Sequence, residues 1–135
     1  MSYAIDRNPQ IQPSLAEMAQ TALEILTAAT KSSKQGFFLL IEGSRIDMAS
    51  HSNDPVGHVH DVLAFNSAFH VARTFIDQFG GVLISTSDHE TGGLSVGRQV
   101  TVPYPEYVWY PEVLANANHS AEYLGYQIAS YKGCL

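Results

Sequence analysis

The first long segment of the chain alternates apolar and polar residues with the period of an α-helix. Apolar residues recur three or four positions apart from Leu15 to Ala29. Ser14 and Glu17 stand in the order of a capping box, in which each side chain satisfies a free backbone N–H of the first turn. The pattern predicts a helix over residues 14–31.

A second helical pattern fills the middle of the chain. Asp54 and Pro55 give a capping residue followed by a proline at the first helical position, where the missing N–H costs nothing. Apolar residues at helical spacing then continue until Gly80 and Gly81, which are typical of a helix end. We therefore predict a long helix between these two signals.

Two short, continuous apolar runs flank this helix, at residues 37–41 and 82–86. Runs of this length are typical of strands buried on both faces of a parallel sheet. Strand, helix and strand form a βαβ unit, whose strands run parallel and whose carboxyl ends meet at one edge of the sheet. The pattern predicts an α/β fold with its ligand site at that edge.

The last third of the chain has weaker signals. A helix is predicted from Glu112 to Tyr131, although its apolar residues recur less regularly. Before it, prolines and aromatic residues between positions 103 and 111 predict a loop that packs over neighbouring structure. There is no internal repeat or interdomain linker, so the 135 residues make one domain at most.

Acidic residues and histidines follow both apolar runs. Glu42, Asp47 and His51 come after the first run, and Asp88 and His89 come after the second. Asp47 and His51 are four positions apart, so on a helical turn they would face the same way and could hold one ion together. Carboxylate and imidazole suit zinc, and a further carboxylate suits a hard ion such as magnesium. We predict a metal site for phosphate chemistry, since paired ions stabilise the attacking and leaving oxygens.

Each of these residues also has an ordinary structural interpretation. An Asp and a His four positions apart are more often a solvated or capping pair, and Glu42 alone is an ordinary strand-end carboxylate. Two such pairs and a Glu at one sheet edge favour the metal site. The remaining histidines are more often surface or partly buried residues than ligands, and we exclude them from the site: His58, His60, His70 and His119.

The composition narrows the function classes. Seven basic and thirteen acidic residues give a net charge of −6, which argues against a nucleic-acid or anionic-membrane surface. Cys134 is the only cysteine, so an intrachain disulfide and a multi-thiolate zinc site are excluded. The first residues have no apolar segment behind a basic start, so we expect no signal segment in them, and no stretch is long enough to span a bilayer.

Residues 36–47 with His51, and residues 86–93, together resemble alkaline phosphatases, and in particular the fungal vacuolar type. The resemblance covers nearly the whole chain. It implies an α/β/α sandwich with a mainly parallel sheet, usually assembled as a homodimer. It also implies hydrolysis of phosphate monoesters through a phosphoserine, at a site with two Zn²⁺ and one Mg²⁺, in the vacuolar membrane or lumen.

By the same resemblance, Asp47 and His51 would bind one zinc, Asp88 and His89 would belong to the second, and Glu42 would hold magnesium. Arg45 would form a structural ion pair, because the family's phosphate-binding arginine lies elsewhere.

The family's nucleophilic serine, that arginine and an aspartate shared by zinc and magnesium precede these motifs, and a further zinc-binding histidine follows them. None of those segments is present here. We therefore expect Met1 to be an internal methionine, Leu135 to be a cut, and residues 1–135 to form a single partial domain. No catalytic residue is predicted within it, and the isolated chain is expected to be inactive.

Two other functions stay open from the sequence. One is a related metal-dependent mutase, sulfatase or phosphodiesterase, although a Glu directly after the strand fits the phosphatase best. The other is a non-catalytic truncated product that binds metal or a partner, because no nucleophile with an adjacent base is evident.

Overall fold

Helices account for the regular structure of residues 1–94, 102–103 and 110–133, which are the residues that the computed structural model describes. In these residues, one 3-10 turn at Ala4–Asp6 precedes five α-helices. The helices are Leu15–Thr30 (α1), Ser44–His51 (α2), Pro55–Phe79 (α3), Pro111–Ala115 (α4) and Ala121–Ser130 (α5).

Local capping fixes the start of α1. The Ser14 hydroxyl accepts a hydrogen bond from the Glu17 backbone N–H at 3.1 Å, and the Glu17 carboxylate accepts one from the Ser14 backbone N–H at 2.7 Å. The Ser14 hydroxyl also donates to the Glu17 carboxylate at 2.7 Å, and the bonds that this carboxylate accepts from the backbone N–H and the hydroxyl of Ser14 lower the pKa of Glu17. The predicted capping box and the helix that follows it are confirmed.

The long helix α3 is also confirmed at both ends. The Asp54 carboxylate accepts hydrogen bonds from the backbone N–H groups of Val56 at 3.0 Å and Gly57 at 2.9 Å. The helix ends at Gly80, whose φ of +81° is a conformation that glycine adopts without the strain of a Cβ.

Packing centres on α3, which contacts α1, α2 and the 3-10 turn. The buried apolar side chains are mostly small: Tyr3, Ala19, Leu23, Ala49, Ala68 and Ala72. Small residues let helices approach closely. At the contact of α2 with α3, a Cβ added to Gly57 would lie 3.4 Å from the Ala49 Cβ, so the position of α2 is closely defined.

The two apolar runs predicted as parallel strands are not strands in the described residues. Residues 37–41 and 82–86 have no regular secondary structure. Side-chain exposure alternates along the first run, with Phe38 and Leu40 88% and 77% exposed and the residues between them less so. This is the period of extended chain. A strand also needs a hydrogen-bonded neighbour, and neither run has one among the described residues, so the predicted sheet is not confirmed.

The inward side chain of Phe37 in the first run packs on α3, and Gly81, just before the second run, also lies against α3. The Phe37 ring lies 6.0 Å from the Phe75 ring, and a Cβ added to Gly81 would lie 2.9 Å from Ile76. The outward side chains have no such cover. We call them the outward apolar side chains: Phe38, Leu40, Val82 and Ile84.

The single helix predicted from Glu112 to Tyr131 is wrong, because α4 and α5 are separate. Ser120 is fully buried and caps α5 by accepting a hydrogen bond from the Tyr123 N–H at 3.1 Å, which starts a new helix there. Most of the predicted aromatic loop lies outside the described residues. None of the described helices has the length and apolar character needed to cross a bilayer.

Candidate metal centre

A cavity of about 1030 Å³ lies between the end of the first apolar run, α2 and residues 85–94. Four of the five predicted metal-site residues line it, namely Glu42, Asp47, Asp88 and His89. His51 adjoins the cavity through its contact with Asp47. The structure therefore gathers the candidate residues from two distant parts of the sequence around one space.

The helix α2 presents Asp47 and His51 on the same side. Asp47 lies in its first turn and His51 in its last, which is the favourable order for a negative and a positive group along a helix dipole. The Asp47 Oδ1 and His51 Nε2 atoms are 3.3 Å apart. The prediction that these two residues face the same way on one helical turn is confirmed.

His89 joins this pair from the segment after the second apolar run. Its Nε2 atom lies 3.5 Å from Asp47 Oδ1 and 3.3 Å from Asp88 Oδ2. The His51 and His89 ring centroids are 5.9 Å apart. One ligand atom from each of Asp47, His51 and His89 lies within 4.8 Å of the others. We call these three residues the ligand cluster.

The geometry of the ligand cluster fits zinc. In a tetrahedral site with bonds of about 2.1 Å, neighbouring ligand atoms are about 3.4 Å apart. The distances from Asp47 Oδ1 to the two imidazole nitrogens, 3.3 and 3.5 Å, match that spacing. Imidazole nitrogens and carboxylate oxygens are ligands that suit zinc.

The surroundings of His89 set its orientation. Its Nδ1 atom lies 2.6 Å from the backbone carbonyl of Glu90. This hydrogen bond, followed by the charges of Asp88 and Asp47, raises the pKa of His89. A donating Nδ1–H leaves Nε2 to face the carboxylates, which is the usual arrangement of a metal-binding histidine.

Glu42 and Asp88 stand apart from the ligand cluster. Glu42 is exposed at the cavity wall, and the Asp88 side chain is 81% exposed and reaches the cluster only through His89. The described residues thus bring together three of the five predicted ligands. The assignment of Asp88 with His89 to one ion, and of Asp47 with His51 to another, stays a prediction.

The histidines excluded from the site have other partners in two cases. His58 Nδ1 lies 2.5 Å from the Ser50 hydroxyl, which itself donates to the Ile46 carbonyl. His119 Nδ1 lies 2.9 Å from Asp6 Oδ1, and its ring stacks on Tyr123 with centroids 3.8 Å apart. The first contact joins α2 to α3, and the second joins the 3-10 turn to the residues just before α5.

Arg45 forms the structural ion pair that was predicted. Its Nη2 atom lies 3.0 and 3.1 Å from the two carboxylate oxygens of Glu122. The guanidinium carbon also lies 3.8 Å above the Tyr3 ring centroid. Sequence analysis missed Glu122 as the partner, because nothing in the pattern joins two residues 77 positions apart.

The donor set and its geometry define a candidate metalloenzyme site. A family model described as alkaline phosphatase matches residues 1–133. The chain belongs to the alkaline phosphatase family, and the resemblance seen in its sequence is confirmed. Members of this family are metal-dependent, and membership implies the alkaline-phosphatase-like fold.

Individual relatives give the same result. The chain is 58% identical to an alkaline phosphatase of Schizosaccharomyces pombe over 97% of its length, and 50% identical to the repressible alkaline phosphatase of Saccharomyces cerevisiae over 96%. It is 35% identical to alkaline phosphatase 4 of Bacillus subtilis over 98%. The chain spans 25%, 24% and 27% of these relatives, or about a quarter of their length. No solved structure gives a significant match.

Proposed function

We propose that this chain supplies metal-binding residues of an alkaline phosphatase that hydrolyses phosphate monoesters. The observation that carries the proposal is the position of the Asp47 carboxylate, whose Oδ1 atom lies within 3.5 Å of both the His51 and His89 Nε2 atoms. Family membership supplies the reaction class, and it favours a phosphatase over the mutase, sulfatase and phosphodiesterase alternatives.

The proposed metals are two Zn²⁺ and one Mg²⁺. Asp47 and His51 would hold one zinc, Asp88 and His89 would contribute to the second, and Glu42 would hold magnesium. Bound metal would stabilise the negative charge that develops on the oxygens of a phosphate ester during displacement. The position of Asp47 beside both histidines supports a role for its carboxylate in this metal centre.

The chain's own residues would orient the metal ligands rather than attack the substrate. Ser50 is a hydroxyl next to a histidine, but its O–H donates to the Ile46 carbonyl at 2.9 Å, which does not suit a nucleophile. We propose that the nucleophilic serine comes from outside these residues, and that the 135-residue chain alone does not turn over substrate.

The complete protein would have the α/β/α sandwich and the homodimeric assembly that the family resemblance implies. In it, residues 37–41 and 82–86 would pair with further strands and become part of a mainly parallel sheet. The alternating exposure of the first run supports this, since extended chain is already present. Vacuolar location and the absence of nucleic-acid binding belong to the same proposal.

Zinc titration of the 135-residue chain by calorimetry tests the metal proposal. We expect binding by the unmodified chain and at least a tenfold weaker affinity in Asp47→Asn, because one of the few zinc ligands becomes a neutral amide. Asp77→Asn is the matched control, since Asp77 is an exposed carboxylate that pairs with Arg73 on α3. Equal zinc affinity in all three chains would contradict the proposal.

Hydrolysis of an aryl phosphate tests the statement on turnover. We expect no zinc-dependent hydrolysis by the isolated chain. Steady hydrolysis that survives purification and stops in Asp88→Asn would show that the chain is a complete catalyst.

A non-catalytic metal-binding protein is the second candidate. The observation that favours it is that the ligand cluster forms within this chain alone. The mass of the native cellular protein, detected with an antibody against the chain, separates the two candidates. A mass about four times larger, as the relatives' lengths indicate, supports the phosphatase, whereas a mass of 14.7 kDa supports the smaller product.

A further inference from the structure

The first two residues of α5 are connected to α2, Glu122 directly through Arg45 and Ala121 indirectly through Asp54. We call Ala121 and Glu122 the α5 clamp. They follow Asp47 by more than 70 positions in the sequence. The helix that they hold carries two of the three residues of the ligand cluster, Asp47 and His51.

Glu122 holds the amino-terminal end of α2. Its two carboxylate oxygens accept from Arg45 Nη2 at 3.0 and 3.1 Å, and the other face of the guanidinium group covers Tyr3. The Arg45 side chain is only 21% exposed, and Tyr3 is 2% exposed. A partly buried guanidinium group between an anion and an aromatic ring is a stronger restraint than an ion pair in open solvent.

Ala121 holds the other end of α2 through Asp54. The Ala121 N–H donates to Asp54 Oδ2 at 2.7 Å, and the Asp54 N–H donates to the Ala49 carbonyl on α2 at 2.9 Å. Asp54 is 3% exposed and Ala49 is fully buried, so water does not compete for these groups. The two ends of α2 are thus tied to consecutive residues of α5.

We propose that the α5 clamp positions α2 for metal binding, with Glu122 as a positioning residue. The inference rests on the proposed metal-binding function. An eight-residue helix is too short to be stable alone in water, so its orientation depends on such external contacts. Asp47 lies two positions after Arg45, in the same turn, and a shift of that turn moves its carboxylate away from His89.

The test uses Glu122→Ala in the 135-residue chain, with Asp77→Ala as control. Both substitutions remove a carboxylate that pairs with an arginine, but Asp77 lies on the exposed surface of α3. Loss of residues that orient metal ligands weakens metal binding by about 10- to 100-fold. Because Glu122 acts one step further from the metal, we expect about three- to tenfold weaker zinc binding in Glu122→Ala and no change in the control.

A double-mutant cycle separates positioning from general destabilisation. The double variant carries both Arg45→Met and Glu122→Ala. If Glu122 acts through Arg45, the zinc affinity of this double variant equals that of whichever single variant binds zinc more weakly. Additive losses would overturn the proposal. Should Glu122→Ala lose its helical circular dichroism, Glu122→Gln takes its place, since it keeps the size and removes the charge. Wild-type zinc affinity in a folded Glu122 variant also overturns the proposal.

A metal-free measurement distinguishes this inference from the proposed function. In the zinc-free chain, the 5.9 Å separation of the His51 and His89 rings predicts a nuclear Overhauser effect between them. We expect this signal to be lost in Glu122→Ala and kept in Asp77→Ala. If the unmodified chain binds no zinc, the proposed function fails. Positioning by the clamp is still tested in that case, and it fails if the signal persists in Glu122→Ala.

Discussion

The helices around α2 and the two apolar runs differ in how far their side chains find partners within the chain. Around α2, the buried side chains of Asp54, at 3% exposure, and Ser120, at 0%, find hydrogen-bond partners within the chain. Along the runs, Val82 and Ile84 remain 83% and 81% exposed. The chain therefore holds Asp47 and His51 in place through its own contacts. Asp88 and His89 follow a segment that has no hydrogen-bonded neighbour among the described residues.

The 3-10 turn adds side-chain hydrogen bonds to the region around α2 that contains Asp54 and Ser120. We call it the hydrogen-bonded region. Asp6 Oδ1 lies 2.9 Å from His119 Nδ1, and the Asp6 carboxylate also accepts from the Ser120 N–H at 3.3 and 3.4 Å. Asp61 on α3 accepts from the Ala4 N–H at 3.0 Å. The amino-terminal segment therefore joins α3 to the start of α5 through side-chain carboxylates.

The largest expected effect on stability is that of replacing Asp54 in the hydrogen-bonded region. Asp54→Ala removes the cap of α3 and leaves the Ala121 N–H without its acceptor. We expect a loss of about 2 to 4 kcal/mol in the free energy of unfolding, or failure to fold. Urea unfolding measures it, with Asp77→Ala expected to stay within about 0.5 kcal/mol of the unmodified chain. A similar small change in Asp54→Ala would contradict the comparison.

The next largest effect on stability is expected at Gly43, which lies between the first apolar run and α2. A Cβ there would lie 2.9 Å from the Phe65 ring and 3.0 Å from Ile46 Cδ1. We expect Gly43→Ala to cost about 1 to 3 kcal/mol by overpacking. Gly125→Ala on α5 is the matched control, since nothing lies within 4 Å of its Cβ position. It should stabilise the chain by up to about 1 kcal/mol, and unchanged or improved stability in Gly43→Ala would be the contrary result.

Polar substitutions of the outward apolar side chains test whether the two apolar runs cause association of the chain. We expect the double variant Phe38→Ser, Ile84→Thr to be more soluble than the unmodified chain, because exposed apolar groups on unpaired extended segments promote association. Stability should change by less than about 0.5 kcal/mol, since both side chains are more than 80% exposed. Light scattering measures association, and unchanged association would count against the exposed runs as its cause.

The smallest effect concerns pH. Burial raises the pKa of Asp61. A raised folded pKa means that, as pH rises, the unfolded chain releases its proton first, so stability falls between the unfolded and folded pKa values and is constant above them. Asp61→Asn lacks this loss. The difference in urea midpoint between Asp61→Asn and the unmodified chain should therefore increase from pH 3 to neutral pH, and a pH-independent difference would exclude this interpretation.

Sequence reasoning succeeded where the physical signal is local. The capping box at Ser14 and the Asp54–Pro55 cap lie next to the helices that they start. The four-residue spacing of Asp47 and His51 was also sufficient to place them together. Ser120 carried the same kind of signal, and its capping role was overlooked when α4 and α5 were predicted as one helix.

The remaining features depend on groups that are distant in sequence. The predicted sheet is not confirmed in the described residues, because apolar runs show a need for burial but not whether a pairing strand is present. The approach of His89 to Asp47 and the pairing of Arg45 with Glu122 result from tertiary packing. The sequence therefore indicated all five candidate ligands but not which three the structure brings together.

The long separation of Arg45 and Glu122 has a consequence for synthesis on the ribosome. The partner of Arg45 is made 77 residues later, which at 5 to 20 residues per second corresponds to a delay of about 4 to 15 s. His89 is made 44 residues after Arg45, so for the remaining 33 residues the nascent chain contains Asp47, His51 and His89 while Arg45 still lacks Glu122. Under the proposed positioning by the α5 clamp, stable metal binding would follow translation of α5.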